Sequence, residues 1–113
     1  MYKKLEGIPY VFVHQTASTG KVNLVTWDIQ KTLTIDPDKN LYQPTDTYYT
    51  LAQEFVRQGL FSYYDTIQHA SEIYMIDSSY SCLALYIKPL DAKKKICVVR
   101  ATGAEVPNWF DNL

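Results

Sequence analysis

A chain of 113 residues with 47% hydrophobic and 20% charged side chains can build one self-sufficient core, which excludes a disordered protein and a mini-protein held by disulfides or metals. The formal net charge of −1 shows neither the basic excess of nucleic-acid binders nor the acidic excess of a DNA mimic, so nucleic acid is not the expected partner. Two cysteines are too few for a secreted disulfide framework, no apolar run reaches the ~20 residues of a membrane span, and Met1-Tyr-Lys-Lys-Leu-Glu lacks the apolar segment of a signal peptide; a single cytoplasmic domain over residues 1–113, without cofactor, is expected.

Residues 8–14, Ile-Pro-Tyr-Val-Phe-Val-His, predict a strand with Pro9 near its start, where a missing N–H does least harm. The loop after it contains Ser18-Thr-Gly-Lys21, which lacks the leading glycine and the trailing hydroxyl of a P-loop. Val25, Trp27, Ile29, Leu33 and Ile35 alternate with polar residues, broken only at Lys31. That pattern predicts a half-buried strand, or two joined by a bulge, forming an N-terminal hairpin with the first strand. Asp28, Asp36, Asp38 and Asp46 lack the spacing of a calcium loop and read as turn and cap residues, so no metal is expected.

Tyr48, Leu51, Ala52, Phe55 and Val56 recur at helical spacing, with caps among Thr45 to Thr47 and Gly59 placed to end the helix left-handed. Residues 62–70 predict a second short helix with Tyr64, Ile67 and Ala70 inward, and residues 72–77 another strand. Residues 80–88 and 94–101 flank the turn Pro89-Leu-Asp-Ala and are rich in β-branched and aromatic side chains. They predict a hairpin apolar on both faces, hence the centre of the sheet, with Lys93 to Lys95 as its solvated tip. In that hairpin Cys82 and Cys97 are diagonal neighbours, read as reduced core thiols. Trp109 and Phe110 anchor the tail. The predicted fold is a single α+β domain: an antiparallel sheet of about five strands with one or two helices packed on one face.

Chemistry is sparse at this level. His14 and His69 have no serine or cysteine partner in a recognisable motif, and glycine-rich nucleotide loops are absent. The ten tyrosines stand out, with doublets at Tyr48-Tyr49 and Tyr63-Tyr64. Tyr42, Tyr49 and Tyr63 are predicted to face out as a partner-binding patch, because tyrosine offers contact area at low entropy cost. The expected function is a non-enzymatic cytoplasmic binding protein, of the inhibitor or adaptor kind carried by phages and mobile elements, that occludes another protein. A flat central hairpin also suits a homodimer. A small-ligand sensor with a pocket between helix and sheet is an alternative, since pockets leave no local signature.

Val98-Val99-Arg100-Ala101-Thr102 followed by Glu105, with Arg57-Gln-Gly-Leu60 upstream of a tyrosine-rich stretch, resembles the RelE-like ribonuclease toxins, especially the BrnT branch, over about half of the chain. The resemblance implies an RNA-cleaving enzyme in which Arg57, His69 and Arg100 stabilise charge during cleavage.

Overall fold

The computed structural model describes residues 2–111; Met1, Asn112 and Leu113 of the expected domain lie outside the described residues. In chain order, β1 (Tyr10–His14) leads into a short antiparallel pair, β2 (Thr16–Ala17) and β3 (Gly20–Lys21), and then β4 (Leu33–Ile35). Next come α1 (Tyr49–Gln53), α2 (Tyr64–Gln68), β5 (Glu72–Ile76), α3 (Ser79–Leu85) and β6 (Lys94–Val98). The main sheet has the order β4-β1-β5-β6, and every neighbouring pair runs parallel.

This replaces the expected antiparallel sheet of five strands. Alternation along a strand decides which side chains share a face; it carries no information on the neighbour or its direction. Here Phe12 lies level with Ile35 on one side and Ile73 on the other, so three apolar positions line up across parallel neighbours. Parallel neighbours need crossovers of a dozen residues or more, and the connections 15–32, 36–71 and 77–93 all meet that requirement. The expected N-terminal hairpin is thus an adjacent but parallel pair, with strand structure at residues 33–35 only.

The predicted central hairpin is corrected too. Its first arm is α3, because Ser78 and Ser81 close a capping box, with Ser81 Oγ accepting from the Ser78 N–H at 2.9 Å. The arm is apolar on several sides because Leu83 and Ala84 enter the core while Trp109, in the 3-10 turn Trp109–Asp111, donates its Nε1–H to the Ser81 carbonyl at 3.2 Å. The sheet's centre is instead β1 and β5, and Lys93 to Lys95 are exposed at the start of the edge strand β6. Cys82 and Cys97 are free thiols, exposed on α3 and buried on β6 respectively.

Both faces of the sheet are covered. Helices cover one, where Phe12, Ile73 and Met75 pack with Phe55, Ile67, Leu83 and Ala84. On the other, Trp27 stacks on Tyr74 at 4.7 Å and donates to Thr34 Oγ1 at 2.9 Å. Right-handed crossovers account for the split: the chain steps outward from β1 to β4 once and returns to β5 and β6, so the outward link lies on the face opposite the returns.

Helix ends differ from expectation in a way that shapes the site. The main helix stops at Gln53, leaving Phe55 buried just beyond it. Gly59 is extended (φ −62°), and the left-handed residue is Arg57 at φ +58°. Its N–H donates to the Pro37 carbonyl at 2.8 Å, which pins the strained turn against the end of β4. A 3-10 turn over Leu60–Tyr63 precedes α2, so the second helix starts later than expected and Tyr63, not Tyr64, points inward. Among the described residues no helix is long and apolar enough to cross a membrane.

Candidate functional site at the carboxyl ends of the strands

In an open parallel sheet the chain leaves every strand at the same edge, and where successive connections diverge to opposite faces a crevice opens. Here that point lies between β1 and β5, whose carboxyl-terminal residues are His14 and Ile76. A cleft of about 820 Å³ occupies it. Each wall comes from a segment that follows a strand: Thr16 to Ser18 after β1, Asp38 after β4, Ser78 to Tyr80 after β5, and Arg100 after β6, with Arg57 reaching in from the strained turn.

His14 is the centre of this arrangement. Its Nε2 lies 3.0 Å from Asp38 Oδ2, its Nδ1 lies 2.9 Å from Ser78 Oγ, and its ring stacks on Tyr80 at 4.3 Å. Burial pushes the imidazole pKa below its ordinary value, against the opposing pull of the Asp38 carboxylate and the Thr16 backbone. A neutral ring facing a carboxylate through Nε2 carries its proton there, which leaves Nδ1 to accept from the Ser78 hydroxyl. Ser78 is thereby held in one orientation at the head of α3.

The carboxylates behind the cleft explain how Asp38 is aimed. Asp36 Oδ1 accepts from the Asp38 N–H at 2.9 Å, an Asx-turn that directs the Asp38 side chain toward His14. Asp36 itself is 3% exposed, and burial pushes its carboxyl up to about 6 despite bonds from the Asp38 backbone and Gln15. Gln15 ties this layer together: Nε2 donates to Asp36 at 3.2 Å and Oε1 accepts from the Leu24 N–H at 2.8 Å. Tyr80, pushed up to about 12 by burial, remains a neutral phenol.

Cations gather at the rim. The Arg100 N–H donates to Asp77 Oδ1 at 2.8 Å, while its side-chain Nε lies 3.9 Å from that same oxygen, too far for a full pair. Arg57 is exposed and its guanidinium meets no carboxylate among the described residues. Beside the cleft, the Lys21 and Lys39 side chains approach each other, and that contact holds the Lys21 ammonium below its ordinary value. Lys21 is the register partner of Thr16, and Lys39 follows Asp38, so both border lining residues.

Of the residues predicted from sequence, Arg57 and Arg100 meet in this cleft, and His69 does not. His69 precedes the amino end of β5, at the opposite edge of the sheet, with Nδ1 2.8 Å from Asp91 and its ring on Tyr2. Tyr42 and Tyr63, expected to be exposed, are buried pins. The Tyr42 hydroxyl donates to the Ile29 carbonyl at 2.7 Å and accepts from the Thr34 N–H at 2.9 Å. The Tyr63 hydroxyl donates to the Phe55 carbonyl at 2.6 Å and accepts from the Gln58 N–H at 3.0 Å. Tyr49 is half-buried at the start of α1.

His14, Asp38, Ser78 and Tyr80 were not predicted as site residues. Their one sequence signal is a polar residue directly after an apolar run, at His14-Gln15, Asp36 and Asp77-Ser78. Among the described residues no group of three or more His, Cys, Asp or Glu side chains could hold a metal ion. The chain matches no protein-family model, no curated protein and no solved structure.

Proposed function

We propose that this chain binds a small phosphorylated molecule in the cleft between β1 and β5. The observation that carries the reading is Arg57: a guanidinium without a carboxylate partner among the described residues, held over a switch-point crevice by a backbone conformation that an arginine adopts only under constraint. Arg100 supplies a second guanidinium, and the Ser78 hydroxyl supplies a neutral donor or acceptor fixed by His14. Guanidinium groups suit phosphate because their donors match its oxygens in bidentate geometry. A neutral His14 suits the same role, since the cleft then binds an anion without having to protonate a buried ring.

The reading in which a tyrosine patch occludes a protein partner loses two of its three side chains to the core. The ribonuclease reading required Arg57, His69 and Arg100 together, and only the two arginines share a cleft.

Titration calorimetry with inorganic phosphate, pyrophosphate and ribose 5-phosphate tests the proposal. Binding is expected at low salt, and Arg57→Ala combined with Arg100→Ala is expected to weaken it at least about tenfold, since charge-assisted bonds are each worth more than ~1 kcal/mol. Absence of binding to all three, or affinity untouched by the double substitution, overturns it.

A further inference from the structure

Next to the anion cleft lies a second groove of about 250 Å³, lined by Leu60, Phe61, Ser79, Cys82, Leu83 and Tyr86. The two cavities share Ser79, so a ligand seated on Arg57 and Ser78 meets this groove without leaving the surface. The groove differs from the cleft in chemistry: apart from the Ser79 and Tyr86 hydroxyls and the Cys82 thiol its lining side chains are hydrocarbon or aromatic ring. Phe61 is 78% exposed and Tyr86 71%, about twice the exposure of Ile8 and Tyr64, the other exposed large apolar side chains among the described residues. Neither ring is needed to close the core.

We infer that the phosphorylated ligand is a nucleotide, with its phosphate on Arg57 and Arg100 and its base against Phe61 and Tyr86 in the adjoining groove. This rests on the phosphate reading above and narrows it. A base fits because it is flat, uncharged and aromatic on both faces, and stacks on exposed rings whatever its hydrogen-bonding edge. A phosphorylated sugar without a base leaves both rings in water. An apolar ligand without phosphate leaves the guanidinium of Arg57 unpaired.

The test compares ribose 5-phosphate with the four common ribonucleoside 5′-monophosphates on the full chain by calorimetry. At least one nucleotide is expected to bind about tenfold or more tighter than ribose 5-phosphate, the scale of a single base stack. Phe61→Ala with Tyr86→Ala is expected to erase that difference and leave ribose 5-phosphate binding unchanged; because both rings are exposed, the thermal midpoint should hold. Arg57→Ala with Arg100→Ala should weaken all the ligands together. If ribose 5-phosphate binds as tightly as every nucleotide, the base site is wrong and the phosphate site stands. If no phosphorylated compound binds, both fail. A concentration-dependent dimer in sedimentation that dissociates on the Phe61 and Tyr86 substitutions would assign the groove to a second copy of the chain and overturn the inference.

Discussion

His14 and His69 have the same companions in kind. Each ring faces an aspartate, at 3.0 and 2.8 Å, and each lies on a tyrosine ring, at 4.3 and 4.4 Å. They sit at opposite ends of the sheet, and their side chains are 4% and 36% exposed. Composition and pairing are therefore matched, and burial with location separates them. At the carboxyl end His14 fixes the serine hydroxyl of a cleft. At the amino end the same trio closes a surface seam between the N-terminal 3-10 turn (Tyr2–Leu5) and α2. A His–Asp contact is thus not in itself a mark of function; the cleft around it is what counts.

The sharpest way to break this contrast is to delete both rings. His14→Ala leaves Ser78 and Asp38 without their partner and opens a void beside Tyr80, and should cost ~2–3 kcal/mol in urea unfolding. His69→Ala removes an exposed pair and should cost less than ~1 kcal/mol. Equal losses would show that burial does not distinguish the two ends.

The pH profile should separate the ends next. Asp36, behind the cleft, has its folded pKa raised to about 6, so the fold favours its neutral form. Its stabilising contribution is full below the unfolded value near ~4 and is lost as pH rises to about 6, a change on the order of 2 kcal/mol. His14 bends the curve the other way: its folded pKa is lowered, so stability is gained as pH rises through that value toward the unfolded ~6.5. Denaturant midpoints for wild type, Asp36→Asn and His14→Gln between pH 4 and 7.5 should show each slope vanish with its residue. A wild-type and Asp36→Asn difference that stays constant from pH 4 to 6 would show that the carboxylate ionises there without penalty.

The smallest effect concerns Arg57. Arg57→Gly relieves the left-handed backbone and should raise stability by ~0.5–1 kcal/mol while weakening phosphate binding. Stabilisation without loss of binding would mean that the strained turn serves the fold alone.

Much of the core was legible and the sheet was not. Residues 8–14 and 72–77 read as strands from their β-branched and aromatic runs, and strands form there at Tyr10–His14 and Glu72–Ile76. Residues 80–88 read as a strand because an apolar run of that length has no distinct period; the signal that settles it is Ser78 and Ser81 spaced as a capping box. Direction of pairing is invisible in such runs, since Phe12 packs beside Ile35 and Ile73 through contacts that no local pattern specifies. The site was illegible for a related reason. Its residues lie at 14, 38, 57, 78 and 100, each harmless alone, and only the common exit edge of four parallel strands collects them. The tyrosines misled because a hydroxyl that ends on a backbone carbonyl, as at Tyr42 and Tyr63, lets a polar-tipped ring lie wholly inside.

The all-parallel pairing has a consequence for how the chain reaches this state. No two neighbours in the main sheet are joined by a tight turn; the shortest links between bonded strands are residues 77–93, between β5 and β6, and 15–32, between β1 and β4. Forming the first strand pair must close a long loop before any ladder bond compensates for the lost entropy, so folding is expected in the slow range of milliseconds to seconds. Trp27 rides on the 15–32 segment and meets Tyr74 only when it has docked, which makes its fluorescence, read in a Trp109→Phe background, a clock for the closing step.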